Sequence, residues 1–133
     1  MDIIVIRHGQ SEADILNVHE GRADFPLTEL GNKQGLAMSN FLSTNYNIDK
    51  IYSSPLKRAS ETAKILSTAT NTPIIYEDGL MEFNNGLLAG LSREEANERY
   101  PEPAIRWPHT SMYGMESMIE FRTRAESILS KIV

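Results

Sequence analysis

A chain of 133 residues with 41% hydrophobic and 23% charged residues has the size and composition of one globular domain able to bury a core. Its net charge of −5 argues against nucleic acid as a main partner, because a phosphate backbone needs a basic surface, yet a local pair of arginines could still hold a small phosphorylated ligand. Cysteine is absent, which excludes disulfides, thiolate zinc sites and a cysteine nucleophile, and no segment approaches the ~20 apolar residues of a membrane span.

Asp2-Ile3-Ile4-Val5-Ile6 is a short β-branched run that predicts a strand buried on both faces. It ends in Arg7-His8-Gly9-Gln10, which puts a cation and an imidazole at the carboxyl end of a strand, where α/β sheets bind ligands. The pattern reads as an anion site with a histidine placed to attack. Taken alone, it also fits an ordinary loop histidine beside a surface arginine. Ser11 to Phe25 is polar, with Asn17, Gly21 and several carboxylates, and is expected to be a functional loop. Thr28 is the expected N-cap of a helix running to about Ser43, although Gly31 and Gly35 each weaken it by about 1 kcal/mol relative to alanine.

A second strand is expected at Lys50–Ser53, followed at once by Ser54 as N-cap and Pro55 at the first helical position. The helix from Leu56 to about Thr70 turns Ala59, Thr62, Ala63 and Leu66 inward and carries Arg58 in its first turn. A helix N-terminus offers free N–H groups and a positive dipole end to an anion, and a cation belongs there only if something negative meets it. Arg58 is thus either a phosphate ligand or a solvated residue like Lys57. Thr72–Tyr76 reads as a third strand, and an acidic segment containing Glu82 and Phe83 follows. Ser92 and Glu95 form a capping box that opens a short helix, Arg93–Tyr100. Pro101, Pro103 and Pro108 then break up a flap holding Trp107 and His109. The last helix opens near Ser117 with Met118, Phe121, Ala125, Ile128, Leu129 and Ile132 on its apolar face. The alternation of strands and helices predicts an α/β fold with a mostly parallel sheet flanked by helices, as a single domain over residues 1–133.

Together these residues resemble the histidine phosphatase superfamily, which includes phosphoglycerate mutases and many small-molecule phosphatases. The matching stretches are Arg7-His8-Gly9-Gln10-Ser11-Glu12, Pro26-Leu27-Thr28-Glu29-Leu30-Gly31, Ser53 to Ala63, and Met81-Glu82-Phe83 with Gly86 and Gly90 behind it. The resemblance implies that His8 is a nucleophile phosphorylated during turnover. It implies further that Arg7 and Arg58 hold the phosphoryl group and that Glu82 protonates the leaving oxygen, aided by closure under Phe83 and the flap. Histidine can form such a covalent intermediate, and phosphoryl transfer otherwise needs positioning and charge stabilisation, for which the arginine fork is suited. Gly9, Gln10 and Ser11 complete the substrate-binding set. The family's pocket asparagine would correspond to Asp14, and Asn17, one helical turn on, is the candidate for that role. His19, Arg22, Trp107 and His109 either line an entrance or are structural. No metal or other cofactor is expected, because three scattered histidines show no ligand spacing.

The sequence departs from the family at its carboxyl end. The family's second pocket histidine, at the end of another buried strand, has no counterpart here, and His109 lies among prolines before the last helix. The chain therefore reads as an amino-terminal part of the family fold, as a natural short variant, or as one of two chains that complete each other. An open sheet edge predicts a homodimer or larger assembly. The expected activity is metal-independent hydrolysis of a small phosphorylated metabolite. A mutase is the alternative within the family, and a non-catalytic phosphate-ligand binder the alternative outside catalysis. The start of the chain lacks the basic and apolar regions of a signal peptide, so a cytoplasmic location is expected.

Overall fold

The computed structural model describes all residues, 1–133. In chain order its elements are α1 (Glu12–Leu16), α2 (Glu29–Asn45), β1 (Ile51–Ser53), α3 (Lys57–Thr70), β2 (Ile74–Tyr76), α4 (Arg93–Arg99) and α5 (Met118–Ile132). Single 3-10 turns lie at Asp78–Leu80 and Gly86–Leu88. The chain divides into two compact units, the first made of Met1–Glu12 and Phe25–Tyr76, the second of Ala13–Asp24 and Glu77–Val133.

The first unit is the α/β part. β1 and β2 pair in parallel with Ile51 opposite Ile74 and Ser53 opposite Tyr76, and α3 is the crossover between them. The core is small: Leu42 of α2, Ile51 of β1 and Leu66 of α3 are buried together, with Met38, Ile48, Ala63 and Ile74 packed around them. Thr28 caps α2 as expected, its Oγ1 accepting the Gly31 N–H at 3.0 Å, a cap worth about 1 kcal/mol. At α3 the start moves. Ser54 Oγ accepts the Leu56 N–H at 3.2 Å, so Ser54 and Pro55 form a turn and the helix begins at Lys57 with Leu56 as an N-cap that has no side-chain acceptor. Asn71 closes α3 in the left-handed conformation, at φ 53°.

The predicted strand at Asp2–Ile6 does not form. Neither β1 nor β2 pairs with it, and its side chains lie exposed, Ile3 at 52% and Val5 at 90%. A strand is stabilised by its neighbours' hydrogen bonds and by burial on its faces, and an apolar sequence supplies neither of these alone.

The second unit is built from short elements around α5. The loop expected at Ser11–Phe25 holds α1, a single helical segment that buries Ala13. Its sequence is too short and polar to show the period of a helix. Both later helices carry full capping boxes, Ser92 with Glu95 on α4 and Ser117 with Glu120 on α5. Of the expected apolar face of α5, Ile128 is buried and Phe121, Ala125 and Ile132 are half-buried, while Met118 and Leu129 are about half exposed. The face that packs is the stripe Phe121, Arg124, Ile128 and Lys131, at helical spacings of three and four.

Candidate active site

The first unit assembles the Arg7–Ser11 turn from both sides. On one side stands the N-terminus of α2. Gln10 N–H donates to Gln34 Oε1 at 2.8 Å, Thr28 N–H donates to the Gln10 carbonyl at 2.9 Å, and Thr28 Oγ1 donates to Gln10 Oε1 at 2.8 Å. Ser11, fully buried, forms a single antiparallel bridge with Leu27. Here two glycines meet. A Cβ on Gly9 would overlap the Gly31 carbonyl, and a Cβ on Gly31 would overlap the Gln10 carbonyl. Gly31 looked like a weakness in a helix; it is the contact that lets α2 support the turn.

On the other side stands α3. Thr62 Oγ1 donates to the Arg58 carbonyl at 2.8 Å and accepts the buried Gly9 N–H at 3.2 Å. One hydroxyl therefore joins the first turn of α3, which carries Arg58, to the residue after His8. Glu61 Oε2, one residue before, accepts the Leu27 N–H at 2.8 Å. Arg58 itself is 2% exposed. A guanidinium stays charged in a protein interior and is held there by partners, which Arg58 has within the chain. The sequence reading marked Thr62 only as an inward-facing residue. The available signal was a hydroxyl one helical turn after the arginine, positioned to bond back to its carbonyl.

His8 is half-buried, and its Nδ1 lies 2.7 Å from the Gly9 carbonyl oxygen. A carbonyl only accepts, so Nδ1 carries a hydrogen and donates it, which fixes the orientation of the ring. Arg7 is exposed, and Gln10 is half-buried. The first unit thus ties His8, Gly9, Gln10 and Ser11 to the starts of α2 and α3, with Arg58 joined through its main-chain carbonyl, while Arg7 stands exposed at the head of the turn.

The remaining candidates belong to the second unit. Asn17 is exposed and adopts the left-handed conformation, φ 53°, where it closes α1, with Val18 N–H donating to the Ala13 carbonyl at 3.2 Å. Asparagine is the usual non-glycine residue at such a position, so the turn accounts for its identity. Glu82 is exposed, on the segment between the two 3-10 turns. Phe83 stacks edge-to-face on Phe121 at 5.6 Å, and Arg106 lies over its ring at 5.7 Å. His19 ties its backbone to Leu91 and Gly90 in hydrogen bonds of 2.9 and 2.7 Å, a structural use, while Trp107 and His109 are exposed.

Arg124 went unremarked in the sequence. It sits on α5 with its guanidinium largely enclosed, and each of its N–H groups has an acceptor. Nη1 donates to the carbonyls of Gly79 at 2.8 Å and Met81 at 2.7 Å, Nη2 to the Glu82 carbonyl at 3.4 Å and Glu116 Oε1 at 2.5 Å, and Nε to Glu116 Oε2 at 3.2 Å. Glu116 Oε1 also accepts the Asn84 N–H at 2.7 Å. Burial alone would push the Glu116 carboxyl up. The hydrogen bonds from Arg124 and the Asn84 N–H, with the charges of Arg124 and Arg22, outweigh it and hold Glu116 below the usual carboxylate range.

The chain belongs to the histidine phosphatase superfamily, whose branch 1 family model matches residues 3–133. Among its relatives is phosphoserine phosphatase 1 of Hydrogenobacter thermophilus, 36% identical over 134 residues that take in 98% of this chain and 63% of that protein. A 2,3-bisphosphoglycerate-dependent phosphoglycerate mutase of Cytophaga hutchinsonii is 34% identical over 108 residues, 79% of this chain and 50% of that one. The solved structure of mycobacterial glucosyl-3-phosphoglycerate phosphatase with inorganic phosphate is similar in fold. Its TM-score is 0.77 at 26% identity, over 94% of this chain and 59% of the other. The chain thus spans between half and two thirds of the length of these relatives.

Proposed function

We propose that this chain belongs to a phosphomonoester hydrolase acting through a phosphohistidine on a small phosphorylated metabolite, without a metal ion. The observation that carries this reading is the framework that ties the His8-Gly9 turn to the start of α3: Thr62 Oγ1 accepts the buried Gly9 N–H and donates to the carbonyl of Arg58, while His8 Nδ1 is oriented by the Gly9 carbonyl. Nε2 attacks phosphorus, an N–P bond forms, and the P–O bond to the alcohol breaks. Arg7 and Arg58 hold the non-bridging oxygens, where charge builds up. Gly9, Gln10, Ser11 and Asn17 make up the rest of the proposed substrate-binding set. Glu82 gives its proton to the departing alcohol oxygen, then takes one from a water that attacks the phosphohistidine, and inorganic phosphate leaves.

The named relatives support a phosphorylated substrate of metabolite size, and O-phosphoserine is the first to try. A cytoplasmic setting belongs to the same proposal. The test is phosphate release by this chain in EDTA, beside His8→Ala. Release that survives EDTA and disappears in the variant supports the phosphohistidine route, and equal release from both proteins overturns it.

A mutase is the second reading, favoured by the identity shared with the phosphoglycerate mutase. Stimulated exchange between phosphoglycerate isomers on adding 2,3-bisphosphoglycerate would select it over hydrolysis. Saturable phosphate binding with neither turnover nor labelled His8 would select a binder instead.

A further inference from the structure

The second unit holds the Glu82 segment along one rail. Reading down α5 from its carboxyl end, Lys131 Nζ pairs with Glu77 Oε1 at 2.5 Å, and Ile128 packs where a Cβ on Gly79 would sit. Arg124 gathers the carbonyls of Gly79, Met81 and Glu82, and Phe121 meets Phe83. Glu116, just before the helix, accepts from the Asn84 N–H, and its own N–H donates to the Asn84 carbonyl at 3.0 Å. Residues 77–84 therefore run antiparallel to the stripe 131, 128, 124, 121, with Glu116 closing the far end.

The segment has little regular structure of its own, with one 3-10 turn and no ladder. Its backbone carbonyls are instead fixed by a side chain. A planar guanidinium is unusual in being able to serve three carbonyls and a carboxylate in one plane, which a lysine ammonium cannot reproduce. The carboxylate of Glu116 orients that fork and keeps its charge paired in a partly enclosed site, the two side chains being 11% and 20% exposed. Glu82, an exposed residue, is carried by this arrangement through its main chain.

We propose that Arg124 and Glu116 are a positioning pair for Glu82, setting the backbone from which the proton donor reaches the leaving oxygen. This rests on Glu82 being the acid. Arg124 touches neither substrate nor phosphorus in this scheme; it acts through the Gly79–Glu82 carbonyls.

The test compares Arg124→Gln, Arg124→Lys, Glu116→Gln and Glu82→Gln with Arg122→Gln, a change on the same helix that removes an exposed arginine paired only with Glu126. Each protein is assayed on p-nitrophenyl phosphate, whose leaving group needs little protonation, and on O-phosphoserine, whose alkoxide needs it. Amide exchange of Met81 and Asn84 is followed beside that of α5. Arg124→Gln and Arg124→Lys are expected to lose about ten- to a hundredfold in kcat on phosphoserine, the scale of a misplaced catalytic group, and several-fold less on the aryl ester. KM and inhibition by inorganic phosphate should hold. Glu116→Gln keeps one acceptor oxygen for the Asn84 N–H and Nη2 but turns its amide NH2 toward Nε, and should fall between wild type and Arg124→Gln.

Faster exchange at Met81 and Asn84, with α5 protection and Arg122→Gln unchanged, completes the expected result. Equal losses on both esters, or unaltered exchange at Met81 and Asn84, overturn the proposal while the Glu82 reading stands. Glu82→Gln with no preference between the esters, or a wild-type chain that hydrolyses neither, overturns the reading of Glu82 as acid and this proposal with it.

Discussion

Gly31 and Gln10 meet backbone to backbone, so closely that a Cβ on Gly31 would overlap the Gln10 carbonyl oxygen. Local propensity and tertiary contact disagree here. Alanine in the helix interior should gain about 1 kcal/mol over glycine. At this position the gain is lost, because the obstacle is main chain rather than the end of a flexible side chain, and forced overpacking costs about 1–3 kcal/mol. Gly31→Ala should lower the urea midpoint and weaken inorganic phosphate binding, since the turn holding His8 must move. Gly35→Ala is the contrast: its Cβ would meet only the Cδ1 tip of Ile65, 2.7 Å away, which can shift. A Gly31→Ala protein as stable as wild type would show that the turn can slide without loss.

Thr62 offers a sharper test of the same framework. Its hydroxyl accepts the buried Gly9 N–H and donates to the Arg58 carbonyl. Thr62→Val keeps the shape but leaves that N–H unsatisfied, which costs about 1–3 kcal/mol. Thr62→Ser keeps the hydroxyl and should cost well under half as much. Phosphate affinity, measured by calorimetry, should follow the same order, because the hydroxyl sets the spacing of the His8 turn from the start of α3. Equal behaviour of the valine and serine variants would remove the hydroxyl from the account.

Much of the first unit could be read from the chain because its signals are local. Thr28 as a cap, the helices on either side of Ile51–Ser53, and the Arg7-His8-Gly9 turn each depend on a few adjacent residues. The family itself was legible in the same motifs. What could not be read depends on partners far along the chain. Gly31 looked unfavourable until Gln10 came against it, and Arg124 gave no local signal at all, since its acceptors lie more than forty residues back at Gly79–Glu82. Asp2–Ile6 misled for the opposite reason: its composition is that of a buried strand, but no neighbouring strand pairs with it. Apolar periodicity on α5 found Phe121 and Ile128 of the packed stripe, but it also took in the exposed Met118 and Leu129 and passed over Arg124 and Lys131, because hydrophobic patterning does not see cations.

The lowered Glu116 carboxyl makes the second unit sensitive to acid. A carboxyl whose folded value lies below its unfolded value binds fewer protons when folded, so its contribution is present above the unfolded value, about 4.3 for glutamate, and is lost as pH falls through the folded one. Glu120 works in the same sense, held down by its hydrogen bonds to Ser117 in the capping box. Urea unfolding should therefore lose stability between about pH 5 and pH 3. Glu116→Gln should be less stable than wild type at pH 7 and should flatten this part of the profile. Parallel profiles for the two proteins would place the acid sensitivity elsewhere.

Self-association is the expected consequence of the exposed amino-terminal stretch. Ile3, Ile4, Val5 and Ile6 present apolar, β-branched side chains and main chain outside any ladder, the combination that lets one chain pair with another. Light scattering after size exclusion should give a mass above 15.0 kDa, increasing with concentration. A lysine in place of Val5, the most exposed of the four, should shift the population toward monomer, because a charge on a pairing edge opposes strand addition. The change should leave urea stability nearly untouched, since Val5 buries almost nothing within the chain. A wild-type protein that stays monomeric at high concentration would show that this stretch does not pair between copies.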